Sequence, residues 1–145
     1  MTPTSSPPLP GAVGAAANVP VAPDWPDRAR AMAAAIRRRV LEHVLRNDGG
    51  YMSQACSAAE MFATLYTRVL HIGPSEAPPI PPPFGDVPGP DNPHYRSGAA
   101  YNGPRAPHLD RLVFSPAHYA LVLYTTLIEC GRLAPEALEQ FNADG

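Results

Sequence analysis

Residues 110–124 read DRLVFSPAHYALVLY, Asp110 to Tyr124, and this stretch decides how the fold is read. An apolar run, Leu112-Val113-Phe114, stops at Ser115-Pro116, and a helical pattern begins at once. Arg111–Phe114 is too short for anything but a strand, and its unbroken apolar character suits a buried parallel one. The helix that follows runs over Pro116–Cys130, opens on a proline and stops at Gly131. Between His118 and Glu129 it carries no charge, so most of its surface must be covered. A histidine, His118, stands in its first turn.

Working outward, Asp27–Arg46 forms an amphipathic helix in which Met32, Ile36, Val40 and Val44 recur at four-residue steps. It ends at Asn47-Asp48-Gly49-Gly50, where two glycines give left-handed freedom and let the backbone approach something closely. A second helix is expected from "SAAE", with Ser57 as N-cap and Glu60 completing a capping box, and it continues to about Ile72. "APEALEQF", Ala134–Phe141, reads as a short fourth helix with Pro135 at its first position. One buried strand needs neighbours on both edges. The expectation is therefore part of a larger α/β domain, with the rest supplied by another chain or by sequence this chain lacks.

Proline marks out the remainder. Of 20 prolines, seven lie in Met1–Pro26 and eleven between Pro74 and Pro107. Residues 1–26 read as a disordered Ala/Pro-rich tail, and 73–108 as a long proline-rich loop inserted in a domain of residues 27–145. The net charge of -2 and a pI near 6.2 argue against nucleic-acid binding. The Arg37-Arg38-Arg39 cluster is expected on a solvated helix face. Two cysteines, Cys56 and Cys130, make no disulfide framework. No segment resembles a signal peptide or a membrane span, which points to a cytoplasmic protein.

Two places could carry chemistry. A helix start offers unpaired N–H groups and a positive dipole end, a natural seat for phosphate, and His118 can add a donor there. On spacing alone, a core histidine bonded to a neighbouring carbonyl is the commoner reading. "DGGYMSQACSAAE" likewise places a side-chain-poor turn, Gly50-Tyr51, before a helix start, where a plain helix-to-helix connection is the simpler reading. His43, His71, His94, His108 and His118 show no metal-ligand spacing.

Taken in order, "IRRRVLEHVLRN", "GGYMSQACSAAEMFATLY" and "DRLVFSPAHYALVLYTTLIECGRLAPEALEQF" resemble the N-terminal, diphosphate-binding part of transketolases and their split-subunit relatives. The decarboxylating component of homodimeric pyruvate dehydrogenases, a 2-oxo acid dehydrogenase, is similar as well. The resemblance implies a partial thiamine diphosphate-binding α/β fold, helix-rich, with a single parallel strand. It implies thiamine diphosphate and Mg2+ as cofactors, with no metal ligands on this chain. The reaction it implies is transfer of a two-carbon ketol unit between sugar phosphates, or attack on a 2-oxo acid.

Residue by residue, His118 matches the histidine that contacts the diphosphate, and Ser115 the serine opening that motif. Gly50 matches the glycine of a Gly-His element, and Tyr51 stands where that element has its substrate-facing histidine. A phenol, with a reference pKa of about 10, cannot exchange protons near neutrality as an imidazole can. Ala117 replaces the family's glycine and Pro116 its Lys or Asn. The family's magnesium-binding Gly-Asp-Gly element has no counterpart here, so the resemblance implies partner subunits in a hetero-oligomer. A non-catalytic interaction fragment of the same fold is the competing expectation.

Overall fold

The computed structural model describes residues 24–83 and 98–141. The expected tail falls outside these except at residues 24–26, as do 84–97 of the proline-rich loop and the chain end at 142–145.

Helix α1 (Trp25–Asn47) takes in Trp25 and Pro26 and stops where Asp48 turns left-handed, at φ 50. Helix α2 (Met52–Thr64) begins five residues ahead of the expected Ser57 cap. The reason lies in its buried face. Ala55, Ala58, Ala59, Phe62 and Ala63 repeat at helical spacing, so the helix must already be turning before residue 55. Ser57 is thus an interior residue whose hydroxyl donates to the Gln54 carbonyl at 2.9 Å, and no capping box forms. A π-helical turn, Leu65–Val69, ends this element.

The third region opens with one 3-10 turn at Ala117–Tyr119 and becomes helix α3 (Ala120–Glu129). Leu121, Val122, Thr125, Thr126, Leu127 and Ile128 are buried, as its lack of charge required. The buried hydroxyls of Thr125 and Thr126 donate to the carbonyls of Leu121 (2.9 Å) and Val122 (2.6 Å), so neither is left unpaired. Pro135–Gln140 is a 3-10 segment rather than an α-helix.

The three α-helices pack against one another. Ile36 and Val40 of α1, the alanine face of α2 and Leu121 and Val122 of α3 form the main core. Small side chains on α2 let its backbone come close to both neighbours, and Phe62 fills the gap beyond them. Its ring is 1% exposed and meets Phe114 edge-to-face at 5.1 Å. The arginine cluster is a partly solvated face that also bridges helices. Arg37 binds the Glu60 carboxylate and donates to the Cys56 carbonyl at 3.0 Å, pinning α1 to α2. Arg39 pairs with Glu129 at 2.7 Å, pinning α1 to the end of α3. Arg38 alone of the three is exposed.

The α/β expectation fails on the strand. Among the described residues there is no β-strand. Arg111–Phe114 is not helical, but what it pairs with is a side chain. The buried carboxamide of Asn102 accepts from the Leu112 N–H (2.7 Å) and donates to the Leu112 carbonyl (3.1 Å). It satisfies one residue as a neighbouring strand would, with no backbone ladder to propagate. Val113, expected to be buried, is 90% exposed. The described part is therefore an all-helical three-helix core with extended connections.

Two guanidinium groups hold those connections. Arg111 donates to the carbonyls of Ala99 (2.9 Å) and Gly103 (3.1 Å), and Arg132 to those of Gly73 (2.7 Å) and Tyr101 (2.8 Å). Gly103 sits at φ 80 with the Pro74 carbonyl 2.4 Å from where a Cβ would lie, so only glycine fits. No helix among the described residues is long and apolar enough to cross a membrane.

Replacing Asn102 with Ala leaves both Leu112 backbone groups without their partner. We expect a stability loss of about 2–3 kcal/mol in chemical denaturation, from two lost hydrogen bonds and a desolvated donor. A loss under about 0.5 kcal/mol would show that water replaces the carboxamide at no cost.

Candidate functional site

Tyr51 and His118 come from opposite halves of the chain and meet. Their ring centroids lie 5.2 Å apart at an interplanar angle of 81°, an edge-to-face pair. Both side chains are exposed, so the pair forms a surface rim between the start of α2 and the start of α3. His118 occupies the 3-10 turn, in which the Tyr119 N–H donates to the Pro116 carbonyl at 3.0 Å. The N–H groups of Ala117 and His118 precede that bond in the helix start, where donors have no intrahelical partner. Ser115, also exposed, is the last residue before Pro116.

The backbone at Tyr51 is strained. Its φ of 46 and ψ of 41 are left-handed, a region that costs a bulky residue about 1–2 kcal/mol. The preceding Gly50 has φ 123, which favours glycine. These two residues swing the chain from α1 into α2 and carry the Tyr51 ring onto His118. Such strain persists only where surrounding packing over-determines it, and it concentrates at functional sites.

The packing beneath is specific. A Cβ built on Gly50 would lie 3.5 Å from His43 Cδ2 and 3.7 Å from both His43 Nε2 and a Leu121 methyl. A Cβ there would make only ordinary contact with the core on α1 and α3, so the φ of 123, not crowding, is what calls for glycine. His43 is 7% exposed, and the Phe141 ring meets it edge-to-face at 5.4 Å. Burial holds its imidazole below the ordinary histidine range, and the nearby Arg46 charge adds to the effect.

Set against family models, curated proteins and solved structures, the chain matches none. What the site can do is read from its own groups.

Of the four residues singled out in the sequence, Tyr51 and His118 touch, and Gly50 shapes the turn that brings them together. Ser115 lies three residues ahead of His118 and shares no hydrogen bond with either ring among the described residues. His43, which has no metal-ligand spacing to the other histidines, is not marked by any motif. Its position seven residues after Ile36 nonetheless places it on the buried stripe of α1, a signal present in the sequence. The Tyr51 and His118 rings stand side by side, with exposed Ser115 three residues ahead of His118 in the chain; imidazole, hydroxyl and first-turn N–H are donor types suited to oxygen atoms of an anion. No cluster of three or more His, Cys, Asp or Glu suited to a metal ion occurs among the described residues.

Cys130 lies outside this site. Burial pushes its thiol up to about 11, which makes it unreactive at neutral pH, as a structural cysteine should be.

The Tyr51 strain can be measured. Tyr51→Ala keeps the left-handed cost and loses the ring contact, worth about 0.5–1.5 kcal/mol, and should destabilise accordingly. Tyr51→Gly loses the same contact but relieves the strain, so denaturation should place it about 1 kcal/mol above the alanine variant. Equal stabilities of the two variants would show that the backbone is relaxed.

The pH dependence follows from His43. A histidine whose pKa is lower folded than unfolded contributes no penalty above the unfolded value of about 6.5. As the pH falls below that value the unfolded chain takes up the proton first, and stability is lost until the folded pKa is passed. Thermal unfolding between pH 7 and 5 should show this acid loss, and His43→Leu should flatten it. An unchanged slope in that variant would assign the loss to other groups.

Proposed function

We propose that this chain is one component of a thiamine diphosphate-dependent transketolase-like enzyme, contributing the wall of the cofactor site that carries His118. The observation that supports this most is the meeting of Tyr51 and His118 beside a helix start. These positions match two different motifs of the family, and no local sequence pattern would bring them together.

The donors present fit a diphosphate. The exposed His118 imidazole and the Ala117 and His118 N–H groups would face its oxygens, helped by the positive end of the helix dipole. The exposed Ser115, three residues ahead of His118, would add a hydroxyl. Tyr51 would offer a hydrogen-bonding hydroxyl toward the substrate side, and its ring restricts the rotation of His118. When bound, thiamine diphosphate supplies a nucleophilic carbon and a sink for the carbanion left on a two-carbon unit. Everything attributed to this chain is binding and orientation. Gly50 acts indirectly, by making the turn.

Partner subunits complete the enzyme in this reading, supplying the metal ligands and the remaining walls. The 90% exposure of Val113 within an apolar segment, and of Leu45 at 75% on α1, is in keeping with surfaces that a partner covers. The free cysteines accord with the cytoplasmic setting we propose. The substrate would be a ketose phosphate or a 2-oxo acid. The exchange of histidine for Tyr51 favours a second reading, a non-catalytic docking fragment, because it removes a proton-transfer group from the reactive end.

The test is calorimetry with thiamine diphosphate and Mg2+ on the assembly formed with the products of neighbouring coding sequences. His118→Ala should weaken binding about tenfold or more, equal to about 1.4 kcal/mol. Undiminished binding removes the role given to His118. An absence of cofactor binding by the wild-type assembly favours the docking fragment.

A further inference from the structure

We propose that His43 is a positioning residue for the Tyr51–His118 rim, acting through the Gly50 turn. The inference rests on the reading of that rim as the ligand-facing edge, but its structural content stands apart from any ligand.

The hydrogen bonds fix the state of the ring. The Asn47 side chain has one atom 2.8 Å from the His43 carbonyl oxygen, and a carbonyl only accepts, so that atom is the amide nitrogen. The same nitrogen lies 3.2 Å from His43 Nδ1. Nδ1 is therefore the acceptor, and the neutral ring carries its proton on Nε2. One exposed residue thus sets the tautomer and the rotation of a buried imidazole.

That rotation determines which edge faces the turn. With Nδ1 held by Asn47, the Cδ2–Nε2 edge faces the Gly50 turn, 3.5–3.7 Å from where a Cβ would lie and beside a Leu121 methyl. Gly50 at φ 123 and Tyr51 at φ 46 are consecutive left-handed residues, so the path of the turn depends on the surface beneath it. Phe141 closes another side of the ring, and Phe141 in turn meets Tyr124 of α3 edge-to-face at 5.4 Å. The imidazole is a flat spacer between the end of α1, the Gly50 turn and Phe141. An aliphatic side chain could fill the volume, but no acceptor would remain for Asn47 and nothing would fix the orientation.

The experiment uses the full chain with isotope-labelled histidine. The His118 Cε1–H resonance reports the ring-current shift from Tyr51, with Tyr51→Ala as the reference for its loss. His43→Leu should move the His118 resonance most of the way to that reference. Asn47→Ala, a change at an exposed site that frees the ring to turn, should do so in part. Val40→Ala, a core change elsewhere on α1, should lower the melting temperature and leave the His118 resonance in place.

A folded His43→Leu chain with the wild-type His118 resonance overturns the proposal. If His43→Leu does not fold, Asn47→Ala decides alone: an unmoved His118 resonance overturns the proposal. A wild-type assembly that binds no cofactor counts against the proposed function and leaves this coupling standing on its own readout.

Discussion

The packing of Gly50 onto His43 and Leu121 is the constraint on which the rest of the arrangement depends. At that point the end of α1, the turn into α2 and the start of α3 come together, with His43 and Leu121 3.5–3.7 Å from where a Cβ on Gly50 would lie. A side chain at Gly50 would have to adopt φ 123, and a straighter turn would separate Tyr51 from His118. The left-handed pair at residues 50 and 51 costs free energy that the three-helix core must supply. That core is small, and its alanine face on α2 contributes proximity more than buried area. Stability per residue is consequently concentrated in a few large side chains, Phe62, Ile36 and Leu121 above all.

Charge plays a structural part here. Arg37 and Arg39 tie α1 to the other two helices, and Arg111 and Arg132 hold backbone carbonyls of the proline-rich connection. A planar guanidinium with several donors suits this work, because one residue can satisfy two carbonyls that proline-rich backbone cannot pair with itself. Much of the connection between α2 and α3 is held by side chains in place of a ladder.

The helices were legible because their signals are local and repeat. The four-residue apolar steps of α1 and the uncharged stretch of α3 translate directly into buried faces. The strand was misread because apolar continuity at Leu112–Phe114 says nothing about a partner, and Asn102 supplies one residue of pairing where a sheet would supply many. The Ser57 cap was misread for a related reason. A capping box is a local pattern, and the alanine face of α2, which reaches back to Ala55, overrode it. Glu60, which would have completed the box, found Arg37 instead. Tyr51 and His118 could be picked out by motif, but their contact depends on a backbone conformation that tyrosine seldom adopts. His43 lies on the buried stripe of α1, but nothing in the sequence marks it as a neighbour of the site, since the turn it faces is made by a residue with no side chain.

The central claim is that residues 115–118 and Tyr51 form one anion-facing edge. The most direct measurement is a titration of the full chain with inorganic pyrophosphate, followed by amide and imidazole chemical shifts. The account predicts saturable changes at Ser115, Ala117, His118 and Tyr51, lost in His118→Ala, with the arginine-bearing face of α1 unmoved. Changes spread over the exposed arginines, or none at residues 115–118, would contradict it.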